Sequence, residues 1–95
     1  WLRMIKNIVH KGLEAFFLHG LTKGIQSKHA TKLARILDRL DAAKAVKDMD
    51  APGYGLHPLK GDRKGYWSIK VSGNWRVIFR FEEGHVYDVN YLDYH

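Results

Sequence analysis

The stretch from Leu56 to Phe81, LHPLKGDRKGYWSIKVSGNWRVIFRF, decides how the rest of this chain is read. From Gly65 onward its hydrophobic period is two, the spacing of a strand buried on one side. Trp67, Ile69 and Val71 share a face, and so do Trp75, Val77, Phe79 and Phe81. Lys70, Arg76 and Arg80 take the other parity. Two antiparallel strands built this way give a sheet with one apolar and one cationic face. Directly opposed residues point the same way, so a slip of one residue would expose the whole apolar set. A three-residue loop of Ser72, Gly73 and Asn74 opposes Val71 to Trp75, Ile69 to Val77 and Trp67 to Phe79. A two-residue Gly-Asn turn would instead set Val71 against Arg76, so the pattern predicts the longer loop despite the hairpin appeal of Gly-Asn.

Downstream, a loop of Glu82, Glu83 and Gly84 is expected to oppose Phe79 to Tyr87, Val77 to Val89 and Trp75 to Tyr91. The second face then gathers Tyr66, Ser68, Lys70, Arg76, Ile78, Arg80, Asp88 and Asn90 and is left for solvent or a partner. Upstream the period is helical. Leu13, Phe16 and Phe17 predict a helix over 11–19 that Gly20 caps. Ala30, Leu33, Ala34, Leu37 and Leu40 predict a second helix with Ser27 as its N-cap, Ile36 widening the stripe and Lys28, Lys32, Arg35 and Arg39 outward. Asp41 is expected to cap a further short helix through Met49. A short first strand is expected over Ile5 to Val9. Asp50-Ala51-Pro52-Gly53-Tyr54-Gly55 is turn chemistry that closes the helical half. The helices supply the matching apolar stripes, so they cover the apolar face of the sheet in an α+β layout.

Ninety-five residues with 45% apolar and 13% aromatic content suit one packed domain. It is expected to span 4–95, with residues 1–3 as an extension ahead of a start at Met4. The chain has no cysteine, which excludes disulfides and thiolate metal sites and fits a cytoplasmic setting. No apolar run approaches the ~20 residues of a membrane span, and the opening residues lack the apolar core of a signal peptide. A formal charge of +6 points to polyanionic partners, nucleic acid first among them.

The candidate chemistry lies at the mouth of the sheet. His57 sits in a proline-stiffened loop with Lys60 three residues on, and the chain ends in Asp93-Tyr94-His95. Two histidines titrating near neutrality can divide acid and base roles, and nearby cations can neutralise a phosphate as it gains charge. Those parts suffice for RNA cleavage without a cofactor or metal: a 2′-hydroxyl attacks the adjacent phosphate, leaving a 2′,3′-cyclic phosphate and a 5′-hydroxyl. No His-Glu-x-x-His or comparable metal spacing is present. His10, His19, His29 and His85 have no distinguishing neighbours and receive no role. A plain surface histidine at position 57 and a solubilising role for Lys70 and Arg80 are the bland alternatives.

Leu56-His57-Pro58-Leu59-Lys60-Gly61-Asp62-Arg63, Gly65-Tyr66-Trp67-Ser68-Ile69, Asn74-Trp75-Arg76 and Asn90-Tyr91-Leu92-Asp93-Tyr94-His95 together resemble HigB toxins of HigBA toxin–antitoxin modules, within the RelE/ParE superfamily. The resemblance runs from Met4 to the end and is most specific from Leu56 onward. It implies a RelE/ParE-like, microbial RNase-like fold: a strand, two to three helices on one face, and an antiparallel meander. It further implies ribosome-dependent cleavage of mRNA in the decoding site, docking on ribosomal RNA, and a helix-turn-helix antitoxin of the HigA type. By motif, His57, Asp93, Tyr94, His95 and Arg76 surround the reacting phosphate; Lys60 and Arg76 hold it, and Asn74 touches a base or the ribosome. Lys70 and Arg80 extend the RNA-binding face. A ParE-like gyrase poison and a non-catalytic RNA-binding module are the rival functions.

Overall fold

The computed structural model describes residues 4–93, and residues 1–3, Tyr94 and His95 lie outside it. Four strands, β1 (His57–Pro58), β2 (Tyr66–Ser72), β3 (Trp75–Glu82) and β4 (His85–Asp93), form one antiparallel sheet in the order β1-β2-β3-β4. Two helices, α1 (Lys11–His19) and α2 (Ala30–Ala42), pack on one side of it. Leu33, Ile36, Leu37 and Leu40 of α2 and Leu13 of α1 bury against Ile69, Val71, Val77, Phe79, Val86, Val89 and Tyr91. Spacings of three and four place the helical residues on one stripe, and the alternation of β3 meets it. Ile36, expected at the stripe's margin, is fully buried.

Neither expected N-cap, Ser27 or Asp41, caps its helix, and α1 is capped by a residue given no role. The backbone N–H of Leu13 bonds to His10 Nδ1 at 3.0 Å, so a histidine N-caps α1, while Gly20 closes it in the left-handed conformation as expected. Ser27 does not cap α2. It opens a single 3-10 turn, Ser27–His29, which drops the His29 side chain into the core before α2 begins. The third helix shortens to another such turn, Val46–Met49, with Asp48 accepting from the amides of Lys44 and Ala45. Asp41 caps no helix. Its carboxylate instead takes the amides of Met4 and Ile5 at 2.9 and 3.2 Å, tying the start of the described chain to the end of α2.

The expected first strand is not continuous. Residues 4–9 run parallel to β4 through two isolated bridges, Ile5 with Val86 and Ile8 with Val89. Between them Asn7 clasps Asp88: its Oδ1 accepts from the Asp88 amide at 3.0 Å and its Nδ2 donates to the carboxylate at 2.8 Å.

Both hairpins depart from the three-residue loops. Ser72 pairs with Trp75 across a two-residue Gly73-Asn74 turn, and a bulge between Lys70 and Ser72 takes up the slip, so Val71 has no direct partner. Trp67–Phe79 and Ile69–Val77 pair as expected. In the second hairpin Glu82 pairs with His85 around Glu83-Gly84, both at positive φ (50° and 79°), the type I′ geometry that suits strand twist. A second bulge lies opposite the stretch between Ile78 and Arg80, where Asp88 takes φ 54°. It flips the parity of β4. Val86 and Val89 both face the core, Tyr87 pairs with Arg80, and Val77 pairs with Tyr91 in place of Val89.

The second face is only partly open. Ser68 and Ile78 at its centre are 1% and 4% exposed, and Leu59 from the loop after β1 is 8% exposed beside them in strand register. Among the described residues no helix is long and apolar enough to cross a membrane.

Candidate active site

His57 pairs with Ser68, Ser68 with Ile78, and Ile78 with Asn90, so these four form one row across the second face. The next row joins Lys70, Arg76 and Leu92. Strand spacing and rise put the His57 and Arg76 backbones roughly 12 Å apart. Two long side chains can meet on a group lying between them. His57 and Lys70 are exposed, and Arg76 is half-buried.

The histidine's orientation follows from its loop. His57 Nδ1 lies 2.9 Å from the Gly55 carbonyl. A carbonyl oxygen only accepts, so Nδ1 carries the proton and, in the neutral ring, Nε2 carries the free lone pair. That is the tautomer a general base needs. Arg76 is held differently, with Nη1 donating to the carbonyls of Gly73 at 2.7 Å and Trp75 at 3.0 Å. These fix the guanidinium at the β2–β3 turn without cancelling its charge. Asn74 is exposed at that same turn, and Lys60 is exposed at the start of the Gly61–Arg63 turn after β1.

The HigB-like family, described as the RelE-like toxin of a type II toxin–antitoxin system, matches residues 6–95. This chain belongs to that family. It is 45% identical over 92 residues to Endoribonuclease HigB of Proteus vulgaris, an alignment covering 97% of this chain and 100% of that protein. It is 39% identical over 72 residues to Toxin HigB-1 of Vibrio cholerae serotype O1, covering 75% of each.

In this HigB-like fold His57, Lys70 and Arg76 share a face, while other expected site residues fall elsewhere. Asp93 ends β4 in register with Trp75, a residue of the apolar set, so its parity is not that of Arg76. Tyr94 and His95 lie outside the described residues. Arg80 has the parity of Arg76, but its Nε donates to Asp88 at 2.8 Å and its Nη1 to Glu82 at 2.7 Å. Two carboxylates therefore already share its charge. Asn7 first, and Arg80 second, hold the Asp88 carboxyl below the usual carboxylate range. Beside this network a cleft of about 430 Å³ opens between Arg63, Tyr66, Ile78 and Asn90. Among the described residues no group of three or more histidines and carboxylates is placed to hold a metal.

Support for the Arg76 end comes from residues given no role by sequence. His29, 3% exposed, has Nδ1 2.6 Å from the Tyr91 hydroxyl. Tyr91 stacks on Trp75 at 4.6 Å between ring centroids, and His10 meets Tyr91 edge-on at 5.4 Å. Burial, then the charge of Lys28, lowers the pKa of His29, so it sits neutral in the core. Nothing in the local pattern marks His29, because its partner lies 62 residues away.

Proposed function

We propose that this HigB-like toxin is an endoribonuclease that cleaves mRNA in the ribosomal A site by metal-independent acid–base chemistry and so halts translation. The observation that carries the reading is the His57–Gly55 bond, which takes up Nδ1 and leaves Nε2 open beside the face that also bears Arg76. His57 Nε2 takes the proton of the 2′-hydroxyl, and the 2′-oxygen attacks the adjacent phosphorus in line. Arg76 and Lys60 offset the charge that builds on the phosphoryl oxygens. The departing 5′-oxygen is protonated from the Asp93-Tyr94-His95 end of the chain, leaving a 2′,3′-cyclic phosphate and a 5′-hydroxyl. Asn74 contacts a base or the ribosome from the turn tip.

Free mRNA seldom adopts the in-line geometry. The decoding site supplies it by holding the codon, and orientation of that kind contributes up to roughly 7–11 kcal/mol in the best model systems. The basic exterior docks on ribosomal RNA, in the cytoplasm. A helix-turn-helix antitoxin of the HigA type neutralises the toxin. The test is primer extension in a purified translation system. Cleavage at A-site codons that disappears with His57→Ala supports the reading; intact mRNA with trapped gyrase–DNA complexes overturns it in favour of a gyrase poison.

A further inference from the structure

Three successive carbonyls in the loop before β1 hold groups from three different basic residues, two by side chain and one by backbone. Gly53 O accepts from Lys32 Nζ of α2 at 3.2 Å, Tyr54 O from the Lys70 amide of β2 at 2.6 Å, and Gly55 O from His57 Nδ1 at 2.9 Å. Gly53 and Gly55 both take positive φ, 83° and 57°, which turns these carbonyls toward separate partners. Lys32 Nζ also lies 5.8 Å from the centroid of the Tyr54 ring. Lys32 is thus drawn off the outer surface of its helix and anchored beside Lys70, one loop away from the candidate base.

This arrangement brings like charges together. Burial first, and the Lys70 charge second, lower the pKa of Lys32. Neither ion pair seen at Arg80 reaches Lys32 or Lys70, and among the described residues no carboxylate is seen paired with either lysine. A fold that holds the Lys32 ammonium on a carbonyl and beside an aromatic ring, in the same loop that the Lys70 backbone and Cβ pack against, favours an anion there. On a face read as RNA-facing, that anion is a phosphodiester.

We infer that Lys32 and Lys70 form a second phosphate subsite, beside His57, for an RNA nucleotide flanking the one that is cut. The subsite rests on the endoribonuclease reading for its purpose, but its test does not depend on cleavage. The probe is a short single-stranded RNA with every 2′-hydroxyl methylated, titrated against the full chain by fluorescence anisotropy across a salt series. Each phosphate contact in single-stranded RNA contributes about 0.7 to the slope of log affinity against log salt. Because the two lysines share one phosphate, the Lys32→Gln, Lys70→Gln double variant is expected to flatten the slope by about 0.7 and each single variant by part of that, while Lys32→Arg keeps it. Lys70→Gln guards against a loosened loop, because the Lys70 bond to Tyr54 is made by its backbone and survives the change. Slopes unaltered in both single variants overturn the subsite. Flattened slopes in a protein that cuts no mRNA retain the subsite and sink the nuclease. The same variants, assayed on vacant and on mRNA-programmed ribosomes, separate the two sources of the phosphate: equal losses assign it to ribosomal RNA, and a loss confined to programmed ribosomes assigns it to mRNA.

Discussion

Arg76 and Arg80 lie on the same strand with the same parity, yet their surroundings treat them in opposite ways. Arg80 is gripped by Asp88 and Glu82, and its charge is spent inside the fold. Arg76 is positioned only by the carbonyls of Gly73 and Trp75, which orient the guanidinium and leave its full charge for a partner. Strand parity fixes the direction of a side chain. It says nothing about compensation, which here depends on a bulge that turns Asp88 toward Arg80 from the neighbouring strand. One end of β3 is therefore a structural clasp and the other a candidate chemical site.

The sharpest way to break this contrast is to remove each arginine. Arg76→Ala is expected to slow single-turnover mRNA cleavage by about 10²–10³-fold, the cost of losing one transition-state donor, and Arg80→Ala by less than about a tenth of that. Equal losses in a quench-flow assay would erase the distinction. Next in size is the buried support beneath Arg76. Tyr91→Phe removes the partner of His29 and should cost about 1–3 kcal/mol in urea unfolding, because a buried polar group is left unpaired.

Acid separates the two ends further. His29 has a folded pKa below its unfolded value of about 6.5, so the unfolded chain binds the extra proton first and stability declines as pH falls below about 6.5. Asp88 has a folded pKa below its unfolded value of about 3.9, so its contribution is present above that value and is lost only as pH falls through the lower folded one. Thermal melts from pH 7 to 3 should show two phases of loss, the upper one flattened by His29→Phe and the lower one by Asp88→Asn; a single phase in both variants would contradict the separation. The smallest effect is expected at Glu82, whose side chain is 60% exposed. Glu82→Gln should change unfolding free energy by about 0.5 kcal/mol or less, as exposed ion pairs usually do.

What sequence made legible was periodic. The stripe of α2, the Gly20 cap, the Ile69–Val77 pairing and the shared parity of Lys70 and Arg76 all follow from regular repeats of 3.6 or 2. What it concealed was irregular. A period-two pattern carries no mark of an extra residue, so Val71 and Asp88 were counted as ordinary ladder positions. The Phe79–Tyr87 pairing failed because the Glu83-Gly84 turn has two residues in place of three, and the Val77–Val89 and Trp75–Tyr91 pairings shift by one more residue at the Asp88 bulge. Val71 illustrates how close the two alternatives were. The Gly-Asn turn and the apolar register conflict only in an unbroken ladder, and one bulge reconciles them. At the candidate site, parity located His57 and Arg76, whereas the roles of Lys32 and His29 depend on partners 21 and 62 residues distant.

The clasp between Asn7 and Asp88 joins positions 81 apart in the chain. The two β-hairpins close locally and can form early, but β4 gains its second neighbour only when the opening residues return from the far end of the sequence. Long-range closures of this kind slow folding, since chain entropy is surrendered before the contact repays it. The meander should therefore assemble first and the N-terminal segment dock last, making Asn7→Ala a variant that mainly speeds unfolding while refolding proceeds at close to its native rate.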